Sequence, residues 1–268
     1  MRVVALVATL ILIAAVVIPV VILIESNSSS QASAMYTKSI QVAGNSAGFH
    51  YVSSWTGGGQ PPLNFSGDAG QNDGSQTVTE PSDFGTEQYD LVLAPDQTLY
   101  FEGNAPALED QLGVSASAAP ALAGTWISVS TGDGPYSEEQ AGLTVSSEVG
   151  ITGFNATATG QVTGAGGAQL TRITGTVPAS DGIPNGTVQV DVAPSSDLPT
   201  SIVVSYSDGS VESITYSRWG TAPALTVPTG AVAWSTLPTS APPVGYGSGE
   251  TPTAAPTPTP SPGSVGTA

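Results

Sequence analysis

The chain is 268 residues long, sets 21 Asp and Glu against 4 Lys and Arg, and carries a formal net charge of −17 at pH 7. So acidic a surface repels nucleic acid, whose phosphates need a dense Lys/Arg footprint, and it disfavours docking on anionic headgroups. With no cysteine and one histidine, His50, the chain has no disulfide, thiol nucleophile, Cys-type zinc site, lipidated lipobox cysteine or multi-His metal site of its own.

Val3 to Ile24 is an apolar run of about 22 residues, long enough to cross roughly 30 Å of hydrocarbon as a helix. Only Pro19 interrupts its helical chemistry, which membrane helices tolerate. Arg2 precedes it and Glu25 with a Ser-rich stretch follows, which places the N-terminus in the cytoplasm and the rest outside. The rival reading is a signal peptide cleaved at Ala32-Ser33-Ala34, but that A-x-A match lies well beyond the apolar run. Both readings export the remainder.

Glu25 to Ala43 reads as a polar tether, and from Gly44 the chain takes on short apolar runs between turn signals. Strands are expected at Gly48 to Trp55, Asn64 to Ala69, Gly85 to Ala94 and Thr98 to Glu102. Their two- to four-residue turns allow only antiparallel connections. Asn104 is placed to cap a helix over Ala105 to Leu112, with Pro106 in the first turn and Gly113 past the end. A second short helix is expected at Ala116 to Leu122, a strand at Thr125 to Ser130, and a weak helical region over Tyr136 to Val149. Strands resume at Ile151 to Gly160, Gln169 to Val177, Gly186 to Val192, Ser201 to Ser207 and Ser210 to Trp219, with Asp208-Gly209 as a hairpin turn. Strands, then helices, then strands argue for α+β. From Pro238 the Pro/Thr/Ser-rich sequence reads as an extended, solvated tail.

Catalytic chemistry finds little support. Gly44-Asn45-Ser46-Ala47-Gly48 matches the G-x-S-x-G elbow, but it feeds an antiparallel strand and its only histidine, His50, lies four residues on. The aspartates Asp68, Asp73, Asp133, Asp181 and Asp208 sit in turns, where the backbone favours Asp, and Asp68 to Gly74 lacks calcium-loop spacing. Asn27, Asn64, Asn155 and Asn185 begin glycosylation sequons of the kind that arise by chance in Ser/Thr-rich chains.

The C-terminal half carries an ordered set of pieces. They are Leu170 to Val177, Val188 to Val192, the Asp197-Leu198-Pro199 turn, Ile202 to Ser207, Ile214 to Gly220 with its Ser217-Arg218-Trp219-Gly220, and a closing Thr226-Val227-Pro228. Upstream stand Thr98-Leu99-Tyr100 and Gly124-Thr125-Trp126-Ile127. In this order the chain resembles, over about Gly44 to Ala233, the LppX/LprA/LprF/LprG lipoprotein family of mycobacteria and other actinobacteria. The resemblance implies a curved antiparallel β-sheet, a half-barrel, with several short helices on its concave face and an apolar cavity for acyl chains. It departs from the family in lacking the lipidated cysteine, which the N-terminal transmembrane helix would replace.

The domain organisation expected is therefore an anchor over 1–24, a tether over 25–43, a β-rich domain over 44–237 and a tail over 238–268. The leading reading is an extracytoplasmic, membrane-tethered protein that binds or transfers acyl lipids or lipoglycans of a bacterial envelope. No catalysis, cofactor or metal is expected. Cavity-lining positions are expected at Tyr89, Leu91, Leu93, Leu99, Phe101, Leu108, Leu112, Ile127, Val129, Leu143, Val190, Val204 and Tyr216, for which ordinary core packing is the plain alternative. Trp126 and Trp219 read as structural wedges. A second function class is a non-catalytic sensor or interaction domain with a filled interior and an envelope protein as partner. A secreted hydrolase using Ser46 or a carboxylate pair is third.

Overall fold

The computed structural model describes residues 29–180 and 183–239. The apolar run over 3–24 lies outside them, as does the tail from 240 onward. Among the described residues no helix is long and apolar enough to cross a membrane.

The first element corrects the expected tether. Ser29–Gly44 is a helix, α1, whose buried residues are Ala32, Ser39 and Ala43. Their spacing of seven and four residues keeps them on one helical face. Tyr36, between them, holds the helix to the body through its hydroxyl, which accepts from Ile151 N at 2.6 Å.

Five antiparallel strands follow: β1 (Gly48–Gly57), β2 (Gln60–Gly70), β3 (Gly74–Ser82), β4 (Gly85–Leu93) and β5 (Leu99–Gly103). Four short helices interrupt them, α2 (Ala105–Asp110), α3 (Ala119–Leu122), α4 (Tyr136–Glu139) and α5 (Val145–Glu148), with β6 (Ile127–Val129) after α3. A second meander then runs through β7 (Asn155–Thr163), β8 (Gln169–Val177), β9 (Gly186–Val192), β10 (Pro199–Tyr206) and β11 (Val211–Ser217), and β12 (Val232–Ala233) closes the chain. All twelve strands join one curved sheet in the order β12-β6-β5-β4-β3-β2-β1-β11-β10-β9-β8-β7. The two meanders meet where β11 pairs with β1, Tyr216 opposite Tyr51 and Ile214 opposite Ser53.

Strand period two sorts the side chains cleanly. One face carries Phe49, Tyr51, Phe65, Val78, Tyr89, Leu91, Leu93, Phe101, Ile127, Ile173, Val190, Ile202 and Ile214, all buried. Helices pack on this face: α1 lies over β7, β8 and β10, and α2 over β4 and β5. The opposite face is largely Ser and Thr with paired charges, Arg172 with Asp191 at 2.7 Å and Arg218 with Asp68 at 2.6 Å. Gly67 faces Tyr51 across β2, and a Cβ there would strike the Tyr51 ring.

The expected helix at Ala105 is observed with its cap. Asn104 Oδ1 accepts from Ala107 N at 3.1 Å, and Asn104 Nδ2 donates to Thr86 O at 2.8 Å, which ties the helix start to β4. Asn104→Ala is expected to cost about 1–2 kcal/mol, a fall in melting temperature of roughly 3–6 °C for a domain of this size by thermal denaturation. The helical region over Tyr136 to Val149 is two helices, because Gly142 takes φ 83° between them. The closing Thr226-Val227-Pro228, which the resemblance implies is a strand, is not one; Val232–Ala233 pairs with β6. The first two residues assigned to the tail still belong to the body, since Pro238 O accepts from Ser115 N at 2.9 Å and Thr239 bridges Val114.

Candidate functional site

All thirteen residues expected to line a cavity lie on or over the inner face. Tyr89, Leu91, Leu93, Leu99, Phe101, Ile127, Val129, Val190, Val204 and Tyr216 come from strands. Leu108 comes from α2, while Leu112 and Leu143 follow α2 and α4. None is more than 8% exposed, and they belong to one contiguous apolar core. The structure therefore brings them together in one buried apolar core.

An open space lies at one corner of the sheet. A cavity of about 620 Å³ is lined by Gly153, Asn155, Val177, Pro178, Asn185, Gly186 and Tyr206, with Ser and Thr neighbours and no charged side chain. It sits where β7 and β9 begin and β8 and β10 end. That volume is in the range of small-molecule sites, about 300–1,000 Å³. None of the thirteen expected residues lines it. Its inner wall is Tyr206, whose ring stacks on Trp55 at 5.1 Å between centroids. Gly186, opposite Tyr206 in the β9–β10 pairing, leaves room for that ring. The Tyr206 hydroxyl donates to Glu212 Oε2.

Behind Tyr206 the inner face turns polar. Glu212 and Glu148 are 1% and 4% exposed, and among the described residues the Oε1 of each has no hydrogen-bond partner, nor has the Ser53 hydroxyl. Burial pushes Glu212 up to about 7, and the Tyr206 hydrogen bond offsets part of that rise. Burial raises Glu148 well above the ordinary carboxylate range, and the neighbouring Glu212 adds to it.

A second set of acids closes the far end of the first meander. Glu80 and Glu87 face each other across β3 and β4. Gln111 Nε2 donates to both, at 3.1 Å to Glu80 Oε1 and 2.7 Å to Glu87 Oε2, and the Tyr89 hydroxyl donates to Glu80 Oε1 at 2.7 Å. Buried Glu139 of α4 joins them. Like charges directly opposed in a sheet repel, which favours the protonated forms of these groups. Burial, with Asp110 and Glu80 adding to it, pushes Glu87 up to about 8. Glu139 is raised well above the usual range by burial and then by Glu80.

Neither acid set was foreseen, although strand parity gives a signal for both. Glu87 has the parity of Tyr89, Leu91 and Leu93, and Glu212 that of Ile214 and Tyr216.

The remaining candidates are structural. Ser46 Oγ accepts from Gly220 N at 2.9 Å and donates to Gly48 O at 2.9 Å, so it fastens the start of β1 to the end of β11. His50 lies on the outer face with Nδ1 2.9 Å from Asp68 Oδ1, and it does not line the cavity. Trp219 wedges against Phe49 at 4.5 Å and donates to Pro199 O.

In fold the chain is similar to the Mycobacterium tuberculosis lipoprotein LppX, at 18% identity over 75% of this chain and 100% of that one, with a TM-score of 0.47. LprF from Mycobacterium bovis is similar at 15% identity over 76% and 99%, with a TM-score of 0.44. The MucA/MucB complex of Pseudomonas aeruginosa is also similar, at 11% identity over 72% and 59%, with a TM-score of 0.31. No family model and no curated relative matches the sequence. LppX and LprF, to whose family the sequence shows a resemblance, are thus among the solved structures this chain is similar to.

Proposed function

We propose that this chain is a non-catalytic, membrane-tethered protein of a bacterial envelope that binds or transfers acyl lipids or lipoglycans. One observation carries the reading: a sheet face apolar over most of its width, covered by helices mostly four to six residues long, has the uncharged cavity at its corner beside Tyr206. Helices so short contribute little stability of their own, so an acyl chain has only modest elements to part. Each methylene it buries contributes about 0.8 kcal/mol. Retention of the N-terminal segment as an anchor is supported by α1, because cleavage after Ala34 would remove Ala32, fully buried against the body.

The close packing of the thirteen inner residues favours the second reading, an envelope sensor or interaction domain with a filled interior. A polyunsaturated fluorescent fatty acid separates the two. Saturable fluorescence enhancement, competed by an unlabelled acyl lipid, is expected of the full-length protein in detergent. Absence of saturable binding would refute the lipid reading, and hydrolysis of an ester lipid by the protein would refute its non-catalytic part.

A further inference from the structure

The attachment of the body and its cavity lie at the same corner of the sheet. The Ser33 hydroxyl, early in α1, reaches Ala156 O at 3.5 Å, and Tyr36 packs edge-on against Phe154 at 4.6 Å. Gly153 and Asn155, on either side of Phe154, line the cavity. Farther along α1, Lys38 pairs with Asp197 in the β9–β10 turn, at the other end of those strands. The N-terminus of α1 therefore points out at the cavity end. From Ser33 back to Ser29 the helix advances only about 6 Å. The C-terminal end leaves elsewhere: Thr239 bridges Val114 beside the β12 edge, the opposite edge from β7. At about 4.8 Å per strand the two edges lie roughly 50 Å apart along the sheet.

Residues 25–28 alone separate Ile24, the end of the apolar run, from Ser29. Whatever their conformation, the five steps from Ile24 to Ser29 span at most about 18 Å. A tether running to Ala43 would have let the body roam; a helix over Ser29–Gly44 does not. The chain as a whole is strongly acidic and an anionic leaflet repels it. The cavity lining has no charged side chain; Pro178 stands exposed in it, and exposed Ala179 and Asp208 directly follow the lining residues Pro178 and Ser207.

We propose that this corner is a membrane-docking surface. With Val3 to Ile24 in the bilayer, the mouth of the cavity lies against the leaflet, and its occupant is a lipid of that same leaflet, taken up without the body leaving the membrane. The proposal rests on the anchor and the lipid site argued above. It names where the ligand comes from and which residues meet the bilayer.

The absence of native cysteine makes single-cysteine labels unambiguous. Full-length Ala179→Cys, at the mouth, and Ser235→Cys, at the far edge, are labelled with a fluorophore. Each is reconstituted into phosphatidylcholine/phosphatidylglycerol vesicles carrying a headgroup quencher. Quenching at position 179 is expected to exceed that at position 235 severalfold. A Gly/Ser linker of about twenty residues, with a root-mean-square length of about 25 Å, inserted between Asn27 and Ser28 should reduce the quenching at position 179 severalfold. Equal quenching at the two positions, or release of the protein by alkaline wash, would overturn the proposal. Bound lipid is measured separately by mass spectrometry of the detergent-purified protein. Lipid present with equal quenching refutes the docking geometry alone. Lipid absent with the quenching difference intact refutes the lipid reading and leaves the docking geometry standing.

Discussion

Replacing Glu87 by glutamine is expected to raise the melting temperature at about pH 9 by roughly 4–8 °C, on the order of 2 kcal/mol, and to change it little near pH 5. Glu87 is fully buried, faces Glu80 across the β3–β4 pair, and is approached by Gln111 and Asp110 from α2 and its end and by Glu139 from α4. No cation offsets these groups among the described residues. Lys38, Arg172 and Arg218 are paired with Asp197, Asp191 and Asp68. Burial raises Glu87 to about 8 and Glu212 to about 7, and Glu80, Glu139 and Glu148 are raised as well. Between the ordinary glutamate range and those values the folded protein keeps protons that the unfolded chain has lost. The unfolded state then binds fewer protons, so unfolding free energy falls as pH rises. The wild-type protein should be most stable in mild acid and lose stability up to about pH 8. Glutamine keeps the acceptor that Gln111 uses and cannot ionise. Thermal denaturation of both proteins across this pH range is the check. A Glu87→Gln protein with an unchanged slope would mean that the carboxyl is relieved by water in the folded state.

Phe101→Ala is expected to cost about 3–5 kcal/mol, the usual loss for emptying a buried aromatic site. By thermal denaturation that is a fall of roughly 8–15 °C. Phe101 is fully buried, stacks on Tyr89 at 4.9 Å, and stands between Leu91 and Ile127 in the sheet. The substitution also separates core from ligand wall. If acyl chains lie on this face, the vacated volume gives them more surface. Saturating acyl lipid should then raise the melting temperature of the variant more than that of the wild type. An equal rise, or none, would assign Phe101 to packing alone.

Much of the sheet was legible because its alternation is carried by apolar residues. Strands β8 and β9 appear with the limits read from Leu170 to Val177 and from Val188, Val190 and Val192. Strand β3 was not read, because Gly74–Ser82 offers Val78 as its only large apolar residue and points Gln76 and Glu80 inward beside it. Helix α1 was read as a tether because its buried positions are the small Ala32, Ser39 and Ala43, which carry little hydrophobic contrast. Thr226 to Pro228 looked like a strand, but Pro223 and Pro228 lack the backbone donors a ladder needs. For the site, the inner apolar residues were legible by parity. The corner cavity was not, since it depends on four strand ends meeting in space around Tyr206.

The central claim is that the inner face of this sheet takes an acyl lipid, and native mass spectrometry tests it most directly. The full-length protein is purified in mild detergent from an actinobacterial host and measured intact, with solvent extraction of the same sample. A protein peak heavier than the chain by a discrete lipid mass, lost on extraction and restored by adding that lipid, is expected. A peak at the bare chain mass that stays unchanged when acyl lipid is added would contradict it, and would give the filled-interior interaction domain the better claim.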